Sequence, residues 1–112
     1  MMAWLKERGF KIAVATNSIR STAEVMLKSS GLYPFLDELV TNEDVKASKP
    51  DPEIFRLTSK KLGLEPSECL VIEDHDYGLK AAQLAGCEFV RVESVETLTT
   101  QFIELSLQGL MP

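Results

Sequence analysis

The chain has 112 residues, 45% of them hydrophobic and 26% charged, with a net charge of −5. These values fit one globular domain with a modest core. They argue against a nucleic-acid or anionic-membrane partner. No apolar run approaches membrane-spanning length. The N-terminal MMAWLKERGF has charges where a signal peptide needs an apolar centre, so a cytoplasmic setting is expected. Cys69 and Cys87 belong to no C-x-x-C or Cys/His cluster and read as reduced packing residues.

Met1–Arg8 reads as a short helix ended by Gly9, with Trp4 and Leu5 turned inward. KIAVAT, Lys11–Thr16, is an apolar strand that runs into Thr16-Asn17-Ser18. A helix follows from near Thr22 to Gly31. Ser21 and Glu24 have capping-box spacing, and Val25, Met26 and Leu32 are the expected buried side. Pro34–Glu38 is a turn or a single helical turn, Leu39–Thr41 a short strand and Asn42–Ser48 a polar loop. Asp51 as N-cap and Pro52 as first helical residue start a helix to Leu62 that buries Ile54, Phe55, Thr58 and Leu62.

Cys69–Ile72 is a strand, expected to be buried on both faces. Tyr77–Ala85 is a helix whose Ala81, Ala82 and Ala85 allow close approach to a sheet. Glu88–Val92 is a last strand, and a final helix starts near Ser94. Strands alternating with helices specify an α/β domain: a parallel sheet of about four strands, helices on both faces, right-handed crossovers.

The chemistry concentrates at strand ends. LVIEDHDYGLKAAQLAG, Leu70–Gly86, puts Glu73, Asp74, Asp76 and the single histidine, His75, just after an apolar run. Crowded carboxylates repel one another unless they are solvated or share a cation, which makes a Mg²⁺ site at a strand end the first expectation. The acids could equally form a solvated loop with Asp76 capping the next helix, and His75 reads as a loop residue. Thr16-Asn17-Ser18 and Lys49 also fall at or after strand ends. In a parallel sheet these ends share one edge, so the three places could meet in one crevice. Hydroxyl, amide and backbone N–H groups near a helix start can hold a phosphate, a lysine can neutralise it, and acids can hold Mg²⁺. Taken singly, Thr16-Asn17-Ser18 also reads as turn and cap residues, and Lys49 as a solvated surface group.

Together, KIAVATNS, KPDPEIF and VIEDHDYGLKAAQLAG resemble the second, third and fourth motifs of the haloacid dehalogenase-like hydrolases, especially the small-sugar phosphatases and β-phosphoglucomutases. The resemblance covers about Leu5 to Val92. It implies Mg²⁺-dependent phosphoryl transfer from a small phosphorylated metabolite. Thr16 would bind phosphate with the backbone around Asn17 and Ser18. Lys49 would screen charge between phosphate and nucleophile. Asp74, and Glu73 directly or through water, would hold Mg²⁺. Asp76 falls at a variable position.

No D-x-D-G-T nucleophile motif or inserted cap domain precedes Thr16, and the one D-x-D, Asp74-His75-Asp76, lacks the following Gly-Thr. The 112 residues thus resemble a single partial core domain, an incomplete Rossmann-like sheet. The expected function is that of a truncated enzyme, inactive alone. The alternative is a non-catalytic binding or assembly module derived from the same fold. The strand of the missing motif is the central one in the family. Its loss would leave two strand pairs with facing unpaired edges. Either Lys11–Thr16 pairs with Cys69–Ile72, or a second chain fills the gap as a homodimer or strand-swapped assembly.

Overall fold

The computed structural model describes residues 2–92, so the helix expected from Ser94 lies outside the described residues. In chain order come α1 (Met2–Glu7), β1 (Ala13–Ala15), α2 (Arg20–Ser29), β2 (Glu38–Val40), α3 (Glu53–Leu62), β3 (Leu70–Glu73), α4 (Asp76–Ala85) and β4 (Glu88–Arg91). β1 pairs with β2 in parallel, Val14 opposite Leu39, and β3 pairs with β4 in parallel, Val71 opposite Phe89. These are two separate two-stranded sheets. The expected direct pairing of the first strand with the third does not form: their ends approach through side chains, and each keeps an open inner edge. That also corrects the expected full burial of the strand at Cys69–Ile72, because all four residues of β3 are only half-buried.

Side-chain alternation puts helices on both faces of the two half-sheets. On one face Ala15, Val40 and Val71 pack with Ile54 and Phe55 of α3 and Ala81, Ala82 and Ala85 of α4. On the other, Leu5 of α1 packs with Ile12 beside β1 and with Leu70 and Ile72 of β3, while Val14 and Leu39 meet Ala23 and Leu27 of α2. Both α1 and α3 therefore touch both half-sheets. The alanine face of α4 is buried as its sequence requires, and the helix stops at Gly86, where φ of 87° permits the left-handed cap that bonds to Ala82 and Gln83.

The second helix departs from its expected phase. It starts at Arg20, after Ile19, and its first turn has no side-chain cap. The Ser21/Glu24 capping box does not form; Glu24 instead lies 3.7 Å from Arg20 along the helix surface. The helix can begin earlier because the carboxylate of Glu43, from across the fold, accepts the Arg20 N–H at 2.8 Å. Val25 and Met26 are 65% and 63% exposed, and the buried face is formed by Ala23 and Leu27 in their place. Leu32 packs where expected.

Start signals held better at α3. The Asp51 carboxylate accepts the Glu53 N–H at 2.9 Å, and Pro52 is already helical in conformation, so Asp51 performs the expected cap. Ile54, Phe55, Thr58 and Leu62 are all buried. The stretch expected as plain loop after β2 contains a 3₁₀ turn, Asn42–Asp44, closed by a capping box between Thr41 and Asp44. Arg20 ties this turn to the outer edge of β2, donating to the Leu39 carbonyl at 2.8 Å and to Asp44 at 3.1 Å.

The Thr41 backbone N–H, donating at 2.8 Å, holds the Asp44 carboxyl below its ordinary range, and the Lys6 ammonium does the same for Asp37. A lowered folded-state pKa means stability that is present above the unfolded value near 3.8 and lost as pH falls through the folded pKa. Urea unfolding should therefore show the wild type losing stability as pH drops below that value. Asp44→Ala should cost about 1 kcal/mol at neutral pH, from loss of the cap, and should show a smaller loss on acidification.

Candidate phosphate and metal site

The carboxyl ends of β1 and β3 meet at Lys49. Its Nζ donates to the Ala15 carbonyl at 2.8 Å and to Glu73 Oε2 at 3.0 Å, and it stands 5.0 Å from the centre of the Phe55 ring. The Lys49 and Glu73 side chains are 10% and 17% exposed. An ion pair this enclosed is weakly screened, and removing either partner strands the other charge. The surface-lysine reading of Lys49 is thereby excluded. The loop before Pro50 is fixed from the other side as well, since the Asn17 side chain accepts the Lys49 backbone N–H at 3.1 Å.

Thr16 leaves β1 with its N–H donated to the Val40 carbonyl at 2.9 Å, and its hydroxyl accepts the Ser18 N–H at 3.1 Å. That turn points Thr16 and Ser18 along the same edge as Lys49. The 3₁₀ turn closes beside it: the Asn42 N–H donates to the Ser18 carbonyl at 3.2 Å, and the buried Asn42 Oδ1 has no partner. The structure thus brings Thr16, Asn17, Ser18, Lys49 and Glu73 together. Asn17, however, uses its side chain to hold Lys49.

The acid cluster divides. Glu73 turns in to Lys49, while Asp74, His75 and Asp76 are exposed. The capping role considered for Asp76 belongs to His75, whose Nδ1 accepts the Tyr77 N–H at 3.2 Å and so caps α4. Asp76 pairs with Arg91 of β4, which holds its carboxyl below the ordinary range. Among the described residues no group of three His, Cys, Asp or Glu side chains could enclose a metal ion. What remains for Mg²⁺ is Asp74, with Glu73 reachable only where it shares its charge with Lys49. Mg²⁺ accepts so few protein ligands when water and phosphate complete its shell.

One signal in the sequence bears on Glu73 without naming it. Gly78 is buried, and a Cβ there would overlap the Glu73 carboxyl group. The glycine five positions on therefore makes room for the acid's inward conformation. The Ala15 carbonyl, the other acceptor for Lys49, had no side-chain signal at all.

The fold and this edge define a parallel α/β protein with a lysine and carboxylate at its strand ends. Residues 1–92 match the haloacid dehalogenase-like hydrolases, and the chain belongs to that family. It is 40% identical over 82 residues to a pyrophosphatase of Bacillus pumilus (strain SAFR-032), covering 73% of this chain and 38% of that protein. It is 40% identical over 81 residues to fructose-1-phosphate phosphatase of Escherichia coli (strain K12), covering 72% and 43%. Among solved structures, a haloacid dehalogenase phosphatase from Thermococcus onnurineus superposes with a TM-score of 0.84 at 25% identity, over 99% of this chain and 56% of that one. β-Phosphoglucomutase from Clostridium difficile gives 0.83 at 25%, over 96% and 53%. The chain thus spans well under two thirds of the length of these relatives.

Cavities of about 230 and 480 Å³ lie elsewhere, the first beside Arg20, Tyr33 and Lys61, the second beside Asp51, Arg56 and Lys60. Neither is lined by Thr16, Lys49 or Glu73. Lys49→Met should cost on the order of 3 kcal/mol in urea unfolding by leaving Glu73 unpaired. Lys49→Met with Glu73→Gln should recover most of that loss. Gly78→Ala should also destabilise, by about 1–3 kcal/mol, because Glu73 must move, and the loss should shrink in a Glu73→Ala background.

Proposed function

We propose that this chain carries the phosphate-holding and charge-screening part of a phosphoryl-transfer site for small phosphorylated metabolites. The observation that carries the reading is the Lys49 ammonium, enclosed between the ends of β1 and β3 and bonded to the Ala15 carbonyl and Glu73. Beside it, the Thr16 hydroxyl, which accepts the Ser18 N–H, keeps its own proton as a donor for a phosphate oxygen. Lys49 supplies a positive charge where negative charge collects in transfer. Similarity to proteins named as a pyrophosphatase, a sugar-phosphate phosphatase and a phosphomutase supports the same reaction class.

Asp74 is the direct Mg²⁺ ligand in this reading, with Glu73 acting through water. Bound Mg²⁺ would neutralise phosphate charge. Few protein ligands make that binding weak. Within the 112 residues no D-x-D-G-T stretch supplies an attacking aspartate, so the chain by itself binds phosphate without turning a phosphomonoester over. No helix among the described residues is long and apolar enough to cross a membrane. Burial pushes the Cys87 thiol up to about 11, which keeps it protonated and unreactive.

The test has two parts. Inorganic phosphate titrated with Mg²⁺ present, followed by ³¹P NMR, should bind saturably. Thr16→Val and Lys49→Met, checked for folding by circular dichroism, should each weaken binding about tenfold, the loss of one charge-assisted hydrogen bond. Asp74→Asn should remove the dependence on Mg²⁺. Phosphate affinity unchanged in all three variants would sink the reading, and hydrolysis of p-nitrophenyl phosphate above the blank would sink the claim that the chain alone is inactive.

A further inference from the structure

Away from the Lys49 edge, the cavity of about 230 Å³ lies against the outer edge of β2. In a parallel ladder the N–H and C=O of one residue face one neighbour, and those of the next residue face the other side. The Glu38 N–H donates to the Ile12 carbonyl, and the Val40 carbonyl accepts from Thr16. Glu38 and Val40 therefore face β1, and the backbone groups of Leu39, which lines the cavity, point outward. Arg20 takes the Leu39 carbonyl at 2.8 Å. The Leu39 N–H is left as a donor with no partner among the described residues.

The side chains around this donor fall into two groups. Arg20 is committed to the Leu39 carbonyl and Asp44, and Asp37 to Lys6 and the Ile12 N–H. Tyr33, Glu38 and Lys61 also line the cavity, and their side-chain polar groups make no hydrogen bond or ion pair among the described residues. Glu38 comes from β2 and Lys61 from the last turn of α3, and they do not pair with each other. An uncommitted carboxylate repels a simple anion, and an uncommitted ammonium repels a simple cation. A molecule carrying one group of each sign satisfies both. The cavity is also smaller than the roughly 300 Å³ at which pockets for drug-sized ligands begin, so its ligand is small.

We propose that this cavity binds a free α-amino acid through its charged main-chain groups. The carboxylate accepts from the Leu39 N–H and pairs with Lys61, with the Tyr33 hydroxyl as a further donor. The ammonium donates to Glu38. Both ends are thus held by charge-assisted hydrogen bonds, and the backbone N–H fixes the orientation of the carboxylate. The cavity shares no residue with Thr16, Lys49 or Glu73, so the proposal can fail while the phosphate reading survives.

The test uses the full 112-residue chain labelled with ¹⁵N, with the Leu39 amide resonance as the readout. Alanine is the probe, and propionate and ethylamine each keep one of its two charged groups. Alanine should move the Leu39 resonance saturably. Propionate and ethylamine should each bind about tenfold more weakly, for want of one charge-assisted contact. Lys61→Met and Glu38→Gln should each weaken alanine by about the same factor, and the spectrum of each variant reports whether it is folded. Glu38→Gln should also bring propionate level with alanine, because the group that favours the ammonium is gone. A Leu39 resonance that alanine leaves unmoved, or that propionate moves with equal affinity in the wild type, overturns the proposal. So does alanine binding that is unchanged in both folded variants.

Discussion

The Lys49 ammonium sits where the two halves of this molecule come nearest, and much of the site depends on it. It satisfies the last inward carbonyl of β1 and neutralises the last side chain of β3. A charge at this depth has to be paired, and the pairing fixes the positions of both partners. Asn17 holds the lysine's backbone, which ties the turn after β1 to the loop before α3. Gly78 keeps open the volume that Glu73 needs, so the start of α4 is set by the same pair. One ion pair thus links all three stretches of the candidate site.

The sheet obeys a different constraint. β1 and β3 have the short apolar sequences of interior strands, yet each has a neighbour on one side alone. Their side chains find helices on both faces, but their inner backbone groups find no strand. Half-burial of β1 and β3 is the direct result. At the outer edge of β2 the problem is handled locally, because Arg20 bonds the Leu39 carbonyl. Chemistry and sheet meet at one edge: Thr16, Lys49 and Glu73 lie at the carboxyl ends of β1 and β3.

Much was legible from the sequence because it rests on local rules. Spacing of Ile54, Phe55, Thr58 and Leu62 gave the buried face of α3, and Asp51-Pro52 gave its start. The three alanines of α4 and the glycine after them gave that helix's face and its end. The order of strands and helices, together with the three motifs, gave the fold and the shared edge on which Thr16, Lys49 and Glu73 meet. Alternation could not tell an interior strand from one missing a neighbour, since the side-chain pattern is the same in both.

What the tertiary structure alone decided is where long-range partners displace local ones. Glu43 caps α2 from outside the helix, whose start lies at Arg20, and packing buries Ala23 and Leu27 while Val25 and Met26 face solvent. His75 took the cap position that Asp76 could have filled, and Asp76 turned to Arg91. Glu73 and Asp74 are adjacent in sequence but part ways, one toward Lys49 and one toward water. Successive residues leaving a strand point to opposite sides, and only the position of Lys49 determines which of the two acids meets a charge. The sequence placed the candidate residues at the carboxyl ends of the strands. The fold determined which of them are bound to each other and which remain open to a ligand.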